Sequence, residues 1–242
     1  MKTMKIRFLF AAVVLMSFLS ANAFEGEIKY RTYTNYSPDM LKLQPLVFNG
    51  ENYCTMIVKG DKMMLNDYRK GTITIWTPEI MTEYCPADNT GYSCPSPSVN
   101  PTFTVRETTQ TREMLGTTVT KYVCDENAKI GIEFYGWIAK SGLGLSQIAC
   151  NVFNGGLNVP GVAVKSIFQV QGLYSTLVCR EILSITPREV DDSEFDIIPA
   201  DAQIDISKDG FVDLYLNFFK AHPVKPQKID KISYELDEDW DF

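Results

Sequence analysis

The run Tyr53-Cys54-Thr55-Met56-Ile57-Val58-Lys59, the pair Gly60-Asp61 and the run Lys62-Met63-Met64-Leu65-Asn66 together decide the fold. Two apolar runs separated by two turn residues spell a β-hairpin, because glycine enters the positive-φ region of such a turn without penalty. A helix would repeat its apolar residues every three or four positions and would lose stability at a central Gly. Thr72-Ile73-Thr74-Ile75-Trp76 and the stretch Met81 to Cys85 extend the pattern downstream. Upstream, Ile28, Tyr30 and Thr32 alternate with Glu27, Lys29 and Arg31, which reads as a strand with one wet face.

Residues 86 to 101 are rich in Pro, Ser, Asn and Gly and read as a long loop. Beyond it, Thr102 to Thr109 and Thr117 to Cys124 read as strands, and Ile130, Ile132 and Phe134 begin another that runs through Ile138. A short helix is expected around Leu145 to Cys150. Val162 to Gln171 and Thr176 to Ile185 are extended runs with a turn at Gly172. Eight or more short strands with few helices predict a mainly β (α+β) domain, a single antiparallel sheet curved into a half-barrel. From Gly210 to Ala221 the period changes. Phe211, Leu214, Tyr215 and Phe218 predict an amphipathic helix, stopped by Pro223 and Pro226. Glu235 to Phe242 form an acidic tail with Trp240 interleaved.

The N-terminus reads as a secretory leader. Lys2, Lys5 and Arg7 precede an apolar run from Phe8 to Leu19, and Ala21-Asn22-Ala23 fits signal peptidase cleavage after Ala23. The expected division is therefore a signal peptide at 1–23, a β domain at 24–206, and a C-terminal helix with acidic tail at 207–242. The apolar run is shorter than the roughly 20 residues that span a bilayer, so no integral membrane segment is expected after cleavage. Location in the periplasm or outside the cell follows. The formal charge is −7, and losing the three basic leader residues makes it −10. Such an acidic chain without basic clusters does not suit nucleic acid.

Six cysteines, at 54, 85, 94, 124, 150 and 179, are all in the mature part. An even count in an oxidising compartment favours disulfides. The turn residues between Cys85 and Cys94 make that pair the expected bridge, while Cys54, Cys124, Cys150 and Cys179 stay unassigned. Zinc lacks ligands here, with no C-x-x-C pair and a single histidine, His222, at the end of the predicted helix.

Catalytic signatures are missing too. The sequence contains no nucleophile elbow, Walker loop or complete dinucleotide fingerprint, so no enzyme, cofactor or catalytic residue is expected. Asp205-x-Ser207-x-Asp209-Gly210 matches the front of a calcium loop, but Leu216 occupies the position of the bidentate glutamate. The alternative role for Asp209 is a helix N-cap. Asp191, Asp192, Glu194 and Asp196 read as a solvated loop. Met40, Leu41, Met56, Met63, Met64, Met81 and Met114 suit an adaptable apolar pocket, and equally an irregular core.

Several segments carry a family resemblance: Phe24-Glu25-Gly26-Glu27-Ile28-Lys29-Tyr30, Val58-Lys59-Gly60-Asp61-Lys62, and Phe134-Tyr135-x-Trp137-Ile138. The most distinctive is Ser184-Ile185-Thr186-Pro187-Arg188-Glu189-Val190-Asp191-Asp192-Ser193-Glu194-Phe195-Asp196-Ile197-Ile198-Pro199. Residues 24 to 204 resemble a family of uncharacterised exported proteins of Gram-negative bacteria, of the Bacteroidetes type. Its fold is similar to the lipoprotein carriers LolA and LolB. The resemblance implies a curved sheet around an apolar cavity, an apolar ligand such as a lipid, an acyl chain or a lipidated partner, and no catalytic residues. A filled core with surface recognition of a protein or glycan is the other reading.

Overall fold

The structure, a computed structural model, describes residues 24–37, 50–67, 69–96, 105–124, 132–154, 158–170 and 176–206. The expected leader, the helix at 210–221, His222 and the acidic tail lie outside these residues.

Twelve strands follow in chain order: β1 (Glu25–Tyr36), β2 (Gly50–Lys59), β3 (Lys62–Asp67), β4 (Thr72–Trp76), β5 (Ile80–Cys85), β6 (Thr90–Pro95), β7 (Arg106–Met114), β8 (Thr117–Cys124), β9 (Ile132–Ala139), β10 (Val162–Val170), β11 (Thr176–Pro187) and β12 (Gln203–Ile206). One helix among the described residues, α1 (Gln147–Asn154), joins β9 to β10. All twelve strands form one open, curved sheet in the order β12-β6-β5-β4-β3-β2-β1-β11-β10-β9-β8-β7. Every neighbouring pair is antiparallel except β12, which lies parallel to β6.

The half from β1 to β6 is a meander without register shifts, so its side chains line up in rungs across the strands. The other half is bulged. Leu183 is an extra residue opposite the Lys29/Tyr30 step, and β10 shifts register between Ala163 and Lys165. Such insertions bend a strand and increase its twist, which is how a wide sheet curls. Gly161 at the head of β10 has φ +108, and a Cβ there would lie 2.1 Å from the carbonyl oxygen of Ala139. Asn154 closes α1 against this corner. Its Nδ2 donates to the Gly161 carbonyl at 2.9 Å and its Oδ1 accepts from the Ala163 amide at 2.8 Å.

The expected loop over 86–101 needs correction. Among its described residues, 86–89 turn, with Asn89 at φ +59, and Thr90–Pro95 is a strand, while 97–101 lie outside the described residues. The expected Cys85–Cys94 bridge falls with it. Cys85 pairs with Thr90 and Cys94 with Met81, so the two thiols sit four residues apart along the hairpin. At about 3.3 Å per residue that is roughly 13 Å, whereas a disulfide needs Cα atoms within about 7 Å. All six cysteines are buried free thiols.

Residues 188–202 carry the chain from β11 to β12. Asp191 caps a short 3-10 turn over Asp192–Phe195, with Glu194 returning to its backbone in a capping box. The Arg188 guanidinium donates to both Glu194 oxygens, at 2.8 and 2.7 Å. Asp192 meets Lys59 and Lys62 at the β2–β3 turn, Val190 N–H reaches the Glu25 carboxylate at 2.6 Å, and Phe195 is buried. At the far end, Gln203 N–H donates to the Asn89 carbonyl and β12 begins. Residues 188–203 are therefore a strap that ties together the β2–β3 turn, the start of β1 and the β5–β6 turn. Asp191, Asp192 and Asp196 are exposed, as a solvated loop requires, and the ion pairs and buried Phe195 add an attachment that the sequence did not show.

Candidate functional site

Alternation fixes one face of the meander as apolar. Side chains directly opposite one another run Val58, Met63, Trp76, Met81 and Cys94 in one rung, and Ile28, Met56 and Leu65 in the next. Apart from Leu65, all are buried. On this inner face the Tyr30 and Phe153 rings meet edge to face, 5.4 Å between centroids, so α1 packs on the same side. One cluster unites these residues with Val119, Val162, Val164 and Cys150. A second gathers Tyr122, Cys124, Phe134, Ile138, Val159 and Ala163.

The second rung does not stay apolar. It continues through Thr74 and Glu83 to Tyr92, and beyond it on the same face lie the opposed pairs Tyr30 and Cys54, Asp67 and Thr72, and Cys85 and Thr90. Glu83 is only 4% exposed. Its two oxygens accept from the Thr72 and Tyr92 hydroxyls, each at 2.8 Å, and Lys70 Nζ stands 3.9 Å away. A buried carboxylate must be held this way, because an unpaired one costs several kcal/mol. Asp67 accepts the amides of Arg69 and Lys70 at 3.1 Å and so fixes the β3–β4 turn. Burial, then the charge of Asp67, pushes the Cys54 thiol up to about 11. Burial raises the Tyr30 hydroxyl well above its ordinary value, against the pull of Arg180.

A further rung crosses the other half of the same face: Asn52, Thr32, Arg180, Ser166, Gly136 and Tyr122. Its five side chains all form hydrogen bonds readily. Arg180 is the cation in its centre. Nη1 donates to the Val152 and Phe153 carbonyls at 2.7 and 3.1 Å, in the last turn of α1. A cation there also meets the negative end of the helix dipole.

The opposite face carries a charged rung of Lys121, Trp137, Lys165, Glu181, Arg31 and Tyr53. Arg31 Nε donates to Glu181 at 2.8 Å, Arg112 stacks 4.1 Å from the Trp137 ring centre, and Lys121 lies 5.0 Å from that of Tyr135.

The sequence-based site residues are scattered. Asp205 lies in β12 opposite Tyr92, while Ser207 and Asp209 lie outside the described residues. Among the described residues, no group of three or more His, Cys, Asp or Glu is placed to hold a metal. Cys85 and Cys94 belong to the inner face as separate thiols. Glu83 and Arg180 were not picked out from the sequence, though parity carried the signal. Glu83 shares its phase with Met81 and Cys85, and Arg180 with Val178 and Ile182.

Solved structures with a similar arrangement include an uncharacterized conserved protein from Thermus thermophilus, at 10% identity, covering 74% of this chain and 90% of that one with TM-score 0.43. PNGF-II aligns at 14% identity over 83% of this chain and 33% of its own, with TM-score 0.47. A LolA superfamily protein from Nitrosomonas europaea aligns at 10% identity over 74% and 91%, with TM-score 0.34. No family profile and no curated protein matches the chain.

Proposed function

We propose that this protein is a non-enzymatic carrier that binds an apolar ligand, a lipid, an acyl chain or a lipidated partner, on the inner face of its sheet. The observation that carries this reading is the rung Val58, Met63, Trp76, Met81 and Cys94, backed by Ile28, Met56 and Leu65. Three methionines around a tryptophan form a polarisable surface that adapts to an alkyl chain of variable shape. The second rung passes from Ile28, Met56 and Leu65 into Thr74, Glu83 and Tyr92, and apolar groups beside hydrogen-bonding ones are the pattern that orients an amphiphile. The likeness to LolA and LolB noted in the sequence points the same way by analogy of fold, which does not by itself fix function. The leader at 1–23 would deliver the protein to the periplasm or the cell exterior, where such a carrier works. Among the described residues, no helix is long and apolar enough to cross a membrane.

A specific observation favours a second reading. Met56, Val58 and Met63 have no exposed surface, as in a filled core, and recognition would then fall to the outer surface. One experiment separates the two. Protein purified from the exported fraction is extracted with organic solvent and the extract is read by mass spectrometry. A carrier yields stoichiometric lipid and brightens an apolar dye. A lipid-free extract with no dye response leaves the filled core standing.

A further inference from the structure

We infer that Arg180 recognises the anionic end group, a carboxylate or a phosphate, of a single-chain amphiphile whose chain lies on the inner apolar rungs. This inference rests on the apolar-ligand reading and deepens it.

The rung through Arg180 makes the case. Asn52, Thr32, Arg180, Ser166 and Tyr122 cross the inner face between two apolar zones. On one side stand Ile182, Tyr30 and Cys54. On the other, the next rung in phase holds Val178, Phe168, Phe134 and Cys124. A polar line between apolar zones is the profile of a site that takes a headgroup and its chain together. Exposure agrees, since Asn52, Thr32, Ser166 and Arg180 are half-buried where the neighbouring Tyr30 and Cys54 are buried. Solvent reaches these four positions, as it reaches the half-buried Val178 and Phe168 in the next rung, whereas Tyr122 is buried.

Arg180 is placed to bind. Its Nη1 is anchored by the two helix carbonyls, which hold the guanidinium in place. Its Nε is buried and makes no hydrogen bond to any described residue. A buried donor left unmade costs free energy that an incoming acceptor would recover. Among the described residues, no carboxylate lies within ion-pair distance of Arg180. Asp67 is taken by the amides of its own turn, and Glu181 faces Arg31 on the opposite side of the sheet. An anion supplied by the ligand would meet a fixed, uncompensated cation with planar donor geometry, which favours carboxylate or phosphate. Tyr30 and Cys54 sit near enough to feel that charge. Both border the rung where the chain would begin.

The test uses the full chain and a fluorescent polyene fatty acid, cis-parinaric acid, beside its methyl ester. The acid should bind more tightly than the ester by about tenfold or more, the worth of a charge-assisted hydrogen bond. The ratio should fall toward one in Arg180→Gln and keep part of its value in Arg180→Lys. Equal affinity of the native protein for acid and ester would overturn the inference while leaving the apolar-ligand reading intact. That native comparison needs no variant, so it decides the matter even if Arg180→Gln fails to fold. No binding of either probe would sink the apolar-ligand reading as well. Inorganic phosphate and acetate form the third arm. If millimolar amounts displace the acid completely, the site is one for free anions and the amphiphile assignment is wrong. Little displacement supports recognition of head and chain together.

Discussion

Glu83 is the residue on which the inner face depends most. Its carboxylate accepts from two buried hydroxyls at once, so Glu83→Ala removes the acceptor of both Thr72 and Tyr92 as well as opening a void. A loss of about 3 kcal/mol is expected, since each buried polar group left unpaired costs about 1–3 kcal/mol. Urea denaturation measures it, and a variant within about 0.5 kcal/mol of the native chain would show the network to be unimportant. The thiols make a second prediction. Burial holds Cys54 and Cys150 up to about 11 and Cys179 up to about 12. These folded values exceed the ordinary thiol value, so the folded state keeps its protons where the unfolded state loses them. The stabilisation is complete below about pH 8.5 and is lost as pH rises toward 11 and 12, by at most about 1.4 kcal/mol per pH unit for each thiol. Stability measured from pH 8 to 10.5 should fall accordingly, and less steeply once the three are replaced by alanine. Iodoacetamide at pH 8 should leave the native thiols unmodified, then label all six after unfolding without reductant. Fewer than six would reveal a disulfide that the strand register does not accommodate.

At the scale of elements, the strap and the α1 corner are the joints of the fold. Phe195 is the one apolar side chain buried by the 3-10 turn, so Phe195→Ala should cost about 3 kcal/mol and release β12. Hydrogen exchange would then accelerate first at Gln203–Ile206, and unchanged protection there would contradict the strap's role. At the α1 corner, Gly161→Ala places a methyl against the Ala139 carbonyl in a backbone region that alanine avoids, and a loss of about 2 kcal/mol or more is expected. Both joints bear on what the sequence disclosed. Strands with apolar alternation were legible almost to their ends: the hairpin around Gly60, the run Thr72–Trp76, and the long strands β10 and β11. β6 was hidden because Gly91, Ser93 and Pro95 are residues of turns, and its strand state comes from pairing with β5 and burial of Tyr92 and Cys94. β12 was hidden by its shortness and by its parallel partner 110 or more residues earlier, which no local pattern encodes. The candidate site was half legible. Parity exposed the apolar rung, whereas the meeting of Arg180 with the end of α1 depends on a bulged register that spacing does not reveal.

The described residues form one wide sheet curled by bulges on one side and strapped on the other. Its two edges are guarded. β7 carries Arg106, Glu107, Arg112 and Glu113 along a mostly exposed strand, and β12 is four residues long. Charged and short edges resist pairing with other chains, which leaves the two faces of the sheet. Of those faces, the inner one combines an adaptable apolar surface with a fixed cation. The direct test of that claim places the probe on Trp76. With Trp137→Phe and Trp240→Phe, Trp76 is the sole tryptophan, and it stands in the middle of the apolar rung. A dibrominated stearate quenches tryptophan only on close approach. The account predicts saturable, one-to-one quenching of most Trp76 emission, reversed by unbrominated stearate. Emission that stays unchanged at saturating brominated acid, in a folded protein, would contradict it.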